Sequence, residues 1–326
     1  MNYCKSRTQT GKYAPGVKNI RISTVFLFFL VSCCLLLVSF VSAEEIKSRA
    51  AVVMDATTGR VLYAKNPGLR LLPASTTKLM TALVVLERVH LEDVVTVSRN
   101  AALASPTKIG LKKGDRVTIE TLLNAALIKS ANDAAVALAE AVAGSEDGFV
   151  EMMNRKALAL GLNDTRYINS NGLPGRGQYI TAYDLAEIMR NAIRYPLLRE
   201  ILGTRVAEVS TEGGKTMFVK NTNRLLWADD EFMGGKTGYT RKARHCFVGA
   251  GERQSETIIV ALLGTPSRDL LWEETEALMA FGSRVLNDLE EPVVYITKID
   301  YDAATLKNAT YKKKIRIKRS KKKRRN

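Results

Sequence analysis

The sequence predicts an α+β fold, an antiparallel β-sheet flanked by helices with an all-helical lobe beside it. Two observations carry that expectation. After residue 43, short apolar runs bounded by turn residues occur at the beginning and again near the end, whereas the middle places apolar residues at three- and four-residue spacing. Strands, then helices, then strands and a helix are the order expected of a sheet covered by segregated helices. With 326 residues the chain can bury a sizeable core, but not many domains.

The first 43 residues have a different character. Lys5, Arg7, Lys12, Lys18 and Arg21 precede an apolar run over 25–41, and Val41-Ser42-Ala43 fits a small-residue cleavage site. This segment is expected to be a signal peptide or an N-terminal anchor. Basic residues before the run and Glu44-Glu45 after it put the remainder outside the cytoplasm, in the periplasm or on the outer face of the cytoplasmic membrane.

Ala51-Val52-Val53-Met54 and Val61-Leu62-Tyr63 then flank Ala56-Thr57-Thr58-Gly59, as strands around a turn do. Leu79, Leu83 and Leu86 predict a helix over 75–89 that starts at Ser75, because Pro73 cannot lie deep in a helix. Helical spacing continues over 118–127, 132–142, 146–160 with Gly161 as the stop, and 181–194. Residues 216–220, 246–250 and 257–263 read as strands, and 270–286 as a closing helix. No internal repeat is evident.

Charge is unevenly distributed. Lys and Arg outnumber Asp and Glu by 16; five of that excess lie in the first 43 residues and eleven in 312–326, which leaves the intervening body neutral. The tail repels itself and has only Ile315 and Ile317 as apolar content, so it is expected to be disordered in isolation. Its expected partner is an anionic membrane surface or envelope polymer. No nucleic-acid partner is expected, since a neutral body offers no electrostatic footprint and an exported chain seldom meets DNA.

Three short strings carry chemistry: Ser75-Thr76-Thr77-Lys78, Ser130-Ala131-Asn132 and Lys236-Thr237-Gly238. A hydroxyl is a poor nucleophile at neutral pH and needs a base within hydrogen-bond reach. On a helix, residues three apart share a face, so Lys78 can meet Ser75. The positive end of the helix favours a developing alkoxide there. A lysine near its reference pKa of about 10.4 is no base at pH 7. Burial and a second cation, Lys236, are expected to lower Lys78 until it is largely neutral. Lys236-Thr237-Gly238, preceded by Gly234-Gly235 and followed by Tyr239-Thr240, reads as a strand entered through glycines, along which a substrate can approach the backbone. The groove between sheet and helical lobe is the expected seat of all three strings.

The ordered set, together with Pro73-Ala74 before Ser75, Leu79-Met80-Thr81-Ala82 after Lys78, Asn171-Gly172-Leu173-Pro174 and Thr181-Ala182-Tyr183-Asp184-Leu185-Ala186, resembles the serine D-alanyl-D-alanine carboxypeptidases. These low-molecular-mass penicillin-binding proteins have a serine β-lactamase/D,D-peptidase-like fold. The resemblance runs over about 49–282 and makes 44–287 the catalytic domain, with 288–326 a short C-terminal extension ending in the polybasic tail. It implies that Ser75 attacks the penultimate D-alanine carbonyl of peptidoglycan stem peptides while Lys78 takes its proton. It implies that Ser130 and Asn132 bridge Lys78 and Lys236 and relay a proton to the leaving D-alanine. Backbone N–H groups of Ser75 and Tyr239 would form the oxyanion hole; Lys236, Thr237, Gly238 and Tyr239 would line the substrate, with Arg268 as a further clamp on its carboxylate. β-Lactams would inhibit by acylating Ser75.

Alternatives using the same residues are a D,D-endopeptidase cutting crosslinks and a β-lactamase. The middle string is Ser-Ala-Asn where class A β-lactamases usually show Ser-Asp-Asn, and no counterpart of their deacylating glutamate is evident, which favours the peptidase. Two departures from the family stand out. Ala243 is followed by Arg244 and His245 where relatives commonly continue Ala-Gly, and Thr222 stands where some relatives carry an arginine. Cys4, Cys33 and Cys34 lie in the leader, leaving Cys246, expected to be a buried small hydrophobe. His90 and His245 lack ligand spacing, and neither catalytic metal nor cofactor is expected.

Overall fold

The computed structural model describes residues 46–296; the predicted leader and the basic tail lie outside the described residues. The chain begins with the hairpin of β1 (Ala50–Asp55) and β2 (Val61–Lys65). A 3₁₀ turn, Ala74–Thr77, leads into α1 (Lys78–Leu86). The short strands β3 (Val94–Thr96) and β4 (Arg116–Thr118) pair across α2 (Arg99–Ala102). Next come α3 (Ile119–Asn124), a π-helical turn Ala125–Lys129, α4 (Asn132–Ala143), α5 (Glu146–Ala159), α6 (Ala182–Ala192) and α7 (Pro196–Gly203). A second hairpin, β5 (Val206–Ser210) with β6 (Thr216–Lys220), precedes β7 (Phe232–Thr240), β8 (Arg244–Arg253), β9 (Glu256–Thr265), α8 (Arg268–Leu286) and β10 (Val293–Tyr295).

Helix starts follow from short polar side chains. Ser145 accepts from the Gly148 N–H at 3.2 Å, Thr181 from Asp184 at 3.0 Å and Ser267 from Leu270 at 3.2 Å. Each such cap contributes about 1 kcal/mol. α4 stops at Gly144, whose φ of 75° lets the chain turn out of the helix.

The sheet order is β10-β2-β1-β9-β8-β7, antiparallel except for β10, which runs parallel to β2. Its period-2 side-chain alternation feeds two cores. From β9, Ile258, Val260 and Leu262 pack with Leu271, Trp272, Leu278 and Met279 of α8. Ile259, Ala261 and Leu263 belong to the larger cluster on the other face, shared with Leu185 and Met189 of α6 and with the helical lobe. Each large apolar side chain so buried contributes about 1.5–3 kcal/mol. In the lobe, α4 is lined by Ala134, Ala135, Ala137 and Ala139, all buried, and small side chains there let α1 and α5 come close.

The α+β expectation therefore holds, with local differences. The helix expected over 75–89 opens as a 3₁₀ turn and stops at Leu86, and the one expected over 118–127 changes to π-helical pitch at Ala125. β3, β4, β5, β10 and α7 were not in the sequence pattern; through β10 the sheet extends past residue 287. Among the described residues no helix is long and apolar enough to cross a membrane.

Candidate active site

Ser75 lies in the 3₁₀ turn before α1, at the junction of lobe and sheet. Its predecessor Ala74 has φ 48°, a left-handed conformation that costs an alanine about 1–2 kcal/mol. Two neighbours hold the turn there. Gly172, itself at φ 85°, lies so close that a Cβ would stand 1.7 Å from the Ala74 carbonyl oxygen. From the sheet side, a Cβ at Gly238 would stand 2.9 Å from the Ser75 nitrogen. A loop and an edge strand thus close on the nucleophile because both present glycine.

Lys78 is 1% exposed, and its Nζ lies 3.1 Å from Ser75 Oγ, 2.7 Å from Asn132 Oδ1 and 2.8 Å from the Asn171 carbonyl oxygen. The Asn132 amide is oriented by its Nδ2, which donates to the Ser105 and Pro106 carbonyls at 3.0 and 3.1 Å. Both Asn132 Oδ1 and the Asn171 carbonyl can only accept. A neutral amine has two N–H bonds and one lone pair; with both N–H groups committed to these acceptors, the lone pair faces the serine hydroxyl. Burial, then the nearby charge of Lys236, hold Lys78 well below the ordinary lysine pKa, with Asp133 opposing. Asp133 is itself buried and accepts backbone N–H bonds from Gly110, Leu111 and Ala134 at 2.9, 3.0 and 3.0 Å, which pins the 105–111 loop to the start of α4.

The Asn171 carbonyl is equally well fixed. Thr81 Oγ1 donates to the Ser170 carbonyl at 2.6 Å, the Ser170 N–H and hydroxyl donate to Glu146, and the Gly172 N–H donates to Asn169 Oδ1 at 2.7 Å. No carboxylate hydrogen-bonds Ser75 or Lys78 among the described residues.

Ser130 departs from its expected bridging position. It ends the π-helical turn at φ 67° and, among the described residues, hydrogen-bonds neither lysine; Asn132 and the Asn171 carbonyl hold Lys78 instead. The left-handed turn aims the chain into α4 and so delivers Asn132, two residues on.

On the strand side, Lys236 is fully buried and its Nζ donates to the Thr237 carbonyl at 3.1 Å. Burial lowers its pKa to about 7. Thr237 Oγ1 shares a 2.5 Å hydrogen bond with Thr222 Oγ1. Tyr239 is exposed and its ring lies 4.5 Å from that of His245, its cross-strand partner. Burial and the charge of Arg268 lower the His245 pKa. Arg268, exposed at the start of α8, makes no hydrogen bond or ion pair with the other expected site residues among the described residues. The β7–β8 turn Arg241–Ala243 returns through Arg244 at φ 62°, a position where hairpins ordinarily use glycine. Cys246 is buried, its thiol pushed up to about 12 by that burial.

Asn171 was quoted in the sequence only as part of a string; that its backbone oxygen holds Lys78 leaves no trace in residue identity. Asp133 was missed in the sequence, its only signal being an acid directly after Ser-x-Asn, and Thr222 was noted only as a departure. A crevice of about 460 Å³ beside Arg190, Arg194, Arg199 and Met233 lies at the opening end of β7, before the Lys-Thr-Gly string, and contains none of these groups. Among the described residues no cluster of His, Cys, Asp or Glu could hold a metal ion.

A family profile described as D-alanyl-D-alanine carboxypeptidase matches residues 38–267. The D-alanyl-D-alanine carboxypeptidase DacF of Bacillus subtilis is 37% identical over 227 residues, 68% of this chain and 58% of that protein. DacC of Escherichia coli is 32% identical over 285 residues, 84% of this chain and 70% of that one. A crystal structure of a D-alanyl-D-alanine carboxypeptidase from Mycobacterium tuberculosis superposes with a TM-score of 0.70 at 31% identity, covering 73% of this chain and 92% of that chain. The match thus spans a little over half the length of the Bacillus relative. On the profile match and these likenesses, the chain belongs to the D-alanyl-D-alanine carboxypeptidase family of serine peptidases.

Proposed function

We propose that the protein is a serine D-alanyl-D-alanine carboxypeptidase that removes the terminal D-alanine from peptidoglycan stem pentapeptides, acting outside the cytoplasm. The observation that carries this reading is the Lys78 amine, buried, lowered in pKa and 3.1 Å from Ser75 Oγ. Ser75 Oγ attacks the penultimate D-alanine carbonyl as its proton passes to the Lys78 lone pair. The backbone N–H groups of Ser75 and Tyr239 receive the oxyanion, at about 3 kcal/mol for a donor of this kind. The C–N bond breaks, the departing amine takes the proton that Lys78 accepted from Ser75, and D-alanine leaves. Water then attacks the ester, Lys78 accepts its proton, and Ser75 is regenerated. Lys236 and the Thr237 hydroxyl meet the substrate carboxylate, with Arg268 as a further clamp on it. Penicillins, whose strained amide mimics the scissile bond, acylate the same oxygen.

A D,D-endopeptidase reading remains the alternative, since a protein named D-alanyl-D-alanine endopeptidase from Pseudomonas aeruginosa is 36% identical over 213 residues. Residues 1–43 serve for export as signal peptide or anchor, 44–287 form the catalytic domain, and the 312–326 tail adheres to anionic membrane or envelope polymer in this reading. The test is release of free D-alanine from a purified stem pentapeptide and from a crosslinked dimer, with intact mass after penicillin. Wild type is expected to release D-alanine from the pentapeptide and gain one penicilloyl mass, and Ser75→Ala to do neither. Release only from the dimer would shift the reading to the endopeptidase, and a turnover-competent Ser75→Ala would end it.

A further inference from the structure

The crevice of about 460 Å³ at the opening end of β7 has no part in the chemistry above, and its walls carry positive charge. Arg190 and Asn191 of α6, Arg194 just past the end of that helix and Arg199 of α7 line it, with Thr57 from the β1–β2 turn and Thr257 from the start of β9. No Asp or Glu lines it among the described residues. A space of this size holds a small organic ligand.

Its three guanidinium groups are not equivalent. Arg190 is fixed: Nε donates to the Ala56 carbonyl at 3.0 Å, Nη1 donates to Glu187 at 3.1 Å, and the group packs on Gly59, where a Cβ would stand 3.1 Å from Cζ. Glu187 also answers part of its charge. Arg194 and Arg199 are exposed, and among the described residues neither side chain has a hydrogen-bond or ion-pair partner. Like charges around one cavity repel, and an anion seated between them removes that cost.

We propose that this crevice is a second ligand site, separate from the peptidase cleft, and that it takes a phosphate ester. One arginine fork satisfies a planar carboxylate, whereas a tetrahedral phosphate turns its oxygens in several directions. Here guanidinium groups come from α6, the residues after it and α7, and the Thr57 and Thr257 hydroxyls come from the sheet side. Ile193 and Met233 offer apolar surface to the organic part of the ester. The same chemistry belongs to a free phosphomonoester and to a polymer joined by phosphodiesters.

Phenylglyoxal footprinting of the full chain, with each arginine followed by peptide mass spectrometry, tests the site without reference to peptidase activity and apart from the basic tail. About 10 mM glycerol 3-phosphate is expected to slow modification of Arg194 and Arg199 by about fivefold relative to sodium chloride at the same ionic strength, while exposed Arg88 and Arg241 react as before. In Arg194→Gln the protection of Arg199 should fall with no change in melting temperature, since the side chain removed has no partner among the described residues. An oligomer of glycerol phosphate that protects at lower phosphate concentration than the monoester assigns the polymer, and the reverse order assigns the free ester. Equal protection by chloride, or equal slowing at Arg88 and Arg241, overturns the site. Succinate protecting as well as the phosphate ester overturns the ligand class, and protection by neither phosphate probe overturns both.

Discussion

The two walls of the cleft bury one lysine each, and they treat it differently. On the helical wall, Lys78 Nζ has three partners at 2.7–3.1 Å, supplied by the turn before α1, by α4 and by the 163–180 loop. On the strand wall, Lys236 Nζ has one among the described residues, the carbonyl of the next residue. Burial depresses both pKa values, but only the first amine has its lone pair oriented. Desolvation by itself decides whether a buried amine is charged; fixed acceptors decide where the lone pair points. In the proposed mechanism Lys78 is thereby prepared as a base before substrate arrives, whereas Lys236 is a buried cation for an incoming carboxylate to pair.

The sharpest way to break this contrast is to keep positive charge while removing the lone pair. Lys78→Arg, whose guanidinium cannot be deprotonated in a protein, and Lys78→Met should both lower the rate of Ser75 acylation by about 10³-fold. Rapid-quench mass spectrometry with penicillin measures it; an arginine variant within tenfold of wild type would mean that charge, not basicity, is what the helical wall supplies.

Next in size is the backing of that wall. In Gly172→Ala the new Cβ meets the Ala74 carbonyl at 1.7 Å and Thr77 Oγ1 at 2.9 Å, at a φ of 85° that alanine disfavours. Loop and turn must separate, so urea denaturation should show a loss of about 3 kcal/mol or more, with acylation impaired in whatever remains folded. Unchanged stability would mean that the two segments are not held in contact.

The strand wall is tested by pH. The folded pKa of Lys236 is about 7 and its ordinary value 10.5. Between those two values the unfolded chain binds more protons than the folded one, so this group's contribution makes stability rise with pH across that window. Lys236→Met should therefore be more stable than wild type by a few kcal/mol at pH 6, and the charge-linked part of that gain should vanish above pH 10.5. Loss of the Lys236 proton should also raise KM for a peptide with a free C-terminus as pH climbs past about 7. A pH-independent stability difference would contradict the assignment.

The smallest effect concerns the 2.5 Å bond between Thr222 and Thr237. Thr222→Val removes one hydroxyl and leaves Thr237 without its partner, worth about 1 kcal/mol. The expectation is a several-fold rise in KM with kcat little changed, partly recovered by Thr222→Ser; equal losses in Thr222→Val and Thr222→Ser would point to packing instead.

Much of this contrast was legible beforehand where the chain speaks locally. The β1–β2 hairpin, α4, α5, α6 and α8 follow from periodicity, caps and turn residues, and Ser75 with Lys78 follows from their spacing. The pieces that were not legible depend on contacts distant in sequence. β10 is three residues long and exists because β2 has an open edge. α3 changes pitch at Ala125 to place Ser130 in a left-handed turn, which a leucine- and alanine-rich string does not announce. The Asn171 carbonyl holds the base from 93 residues away through an atom every residue possesses. Conversely, Ser130 was expected to bond the lysines directly, and the fold uses its backbone to deliver Asn132.

The most direct measurement is the titration of the Lys78 amine itself, by NMR of lysine labelled with carbon-13 at Cε, with the resonance assigned by its disappearance in Lys78→Met. A midpoint well below the ordinary lysine range is predicted for the free protein, moving upward in Lys78's favour when Lys236→Met removes the neighbouring charge. A midpoint at or above 10.5 in the folded protein would contradict the account, because the serine would then face a cation with no lone pair to take its proton.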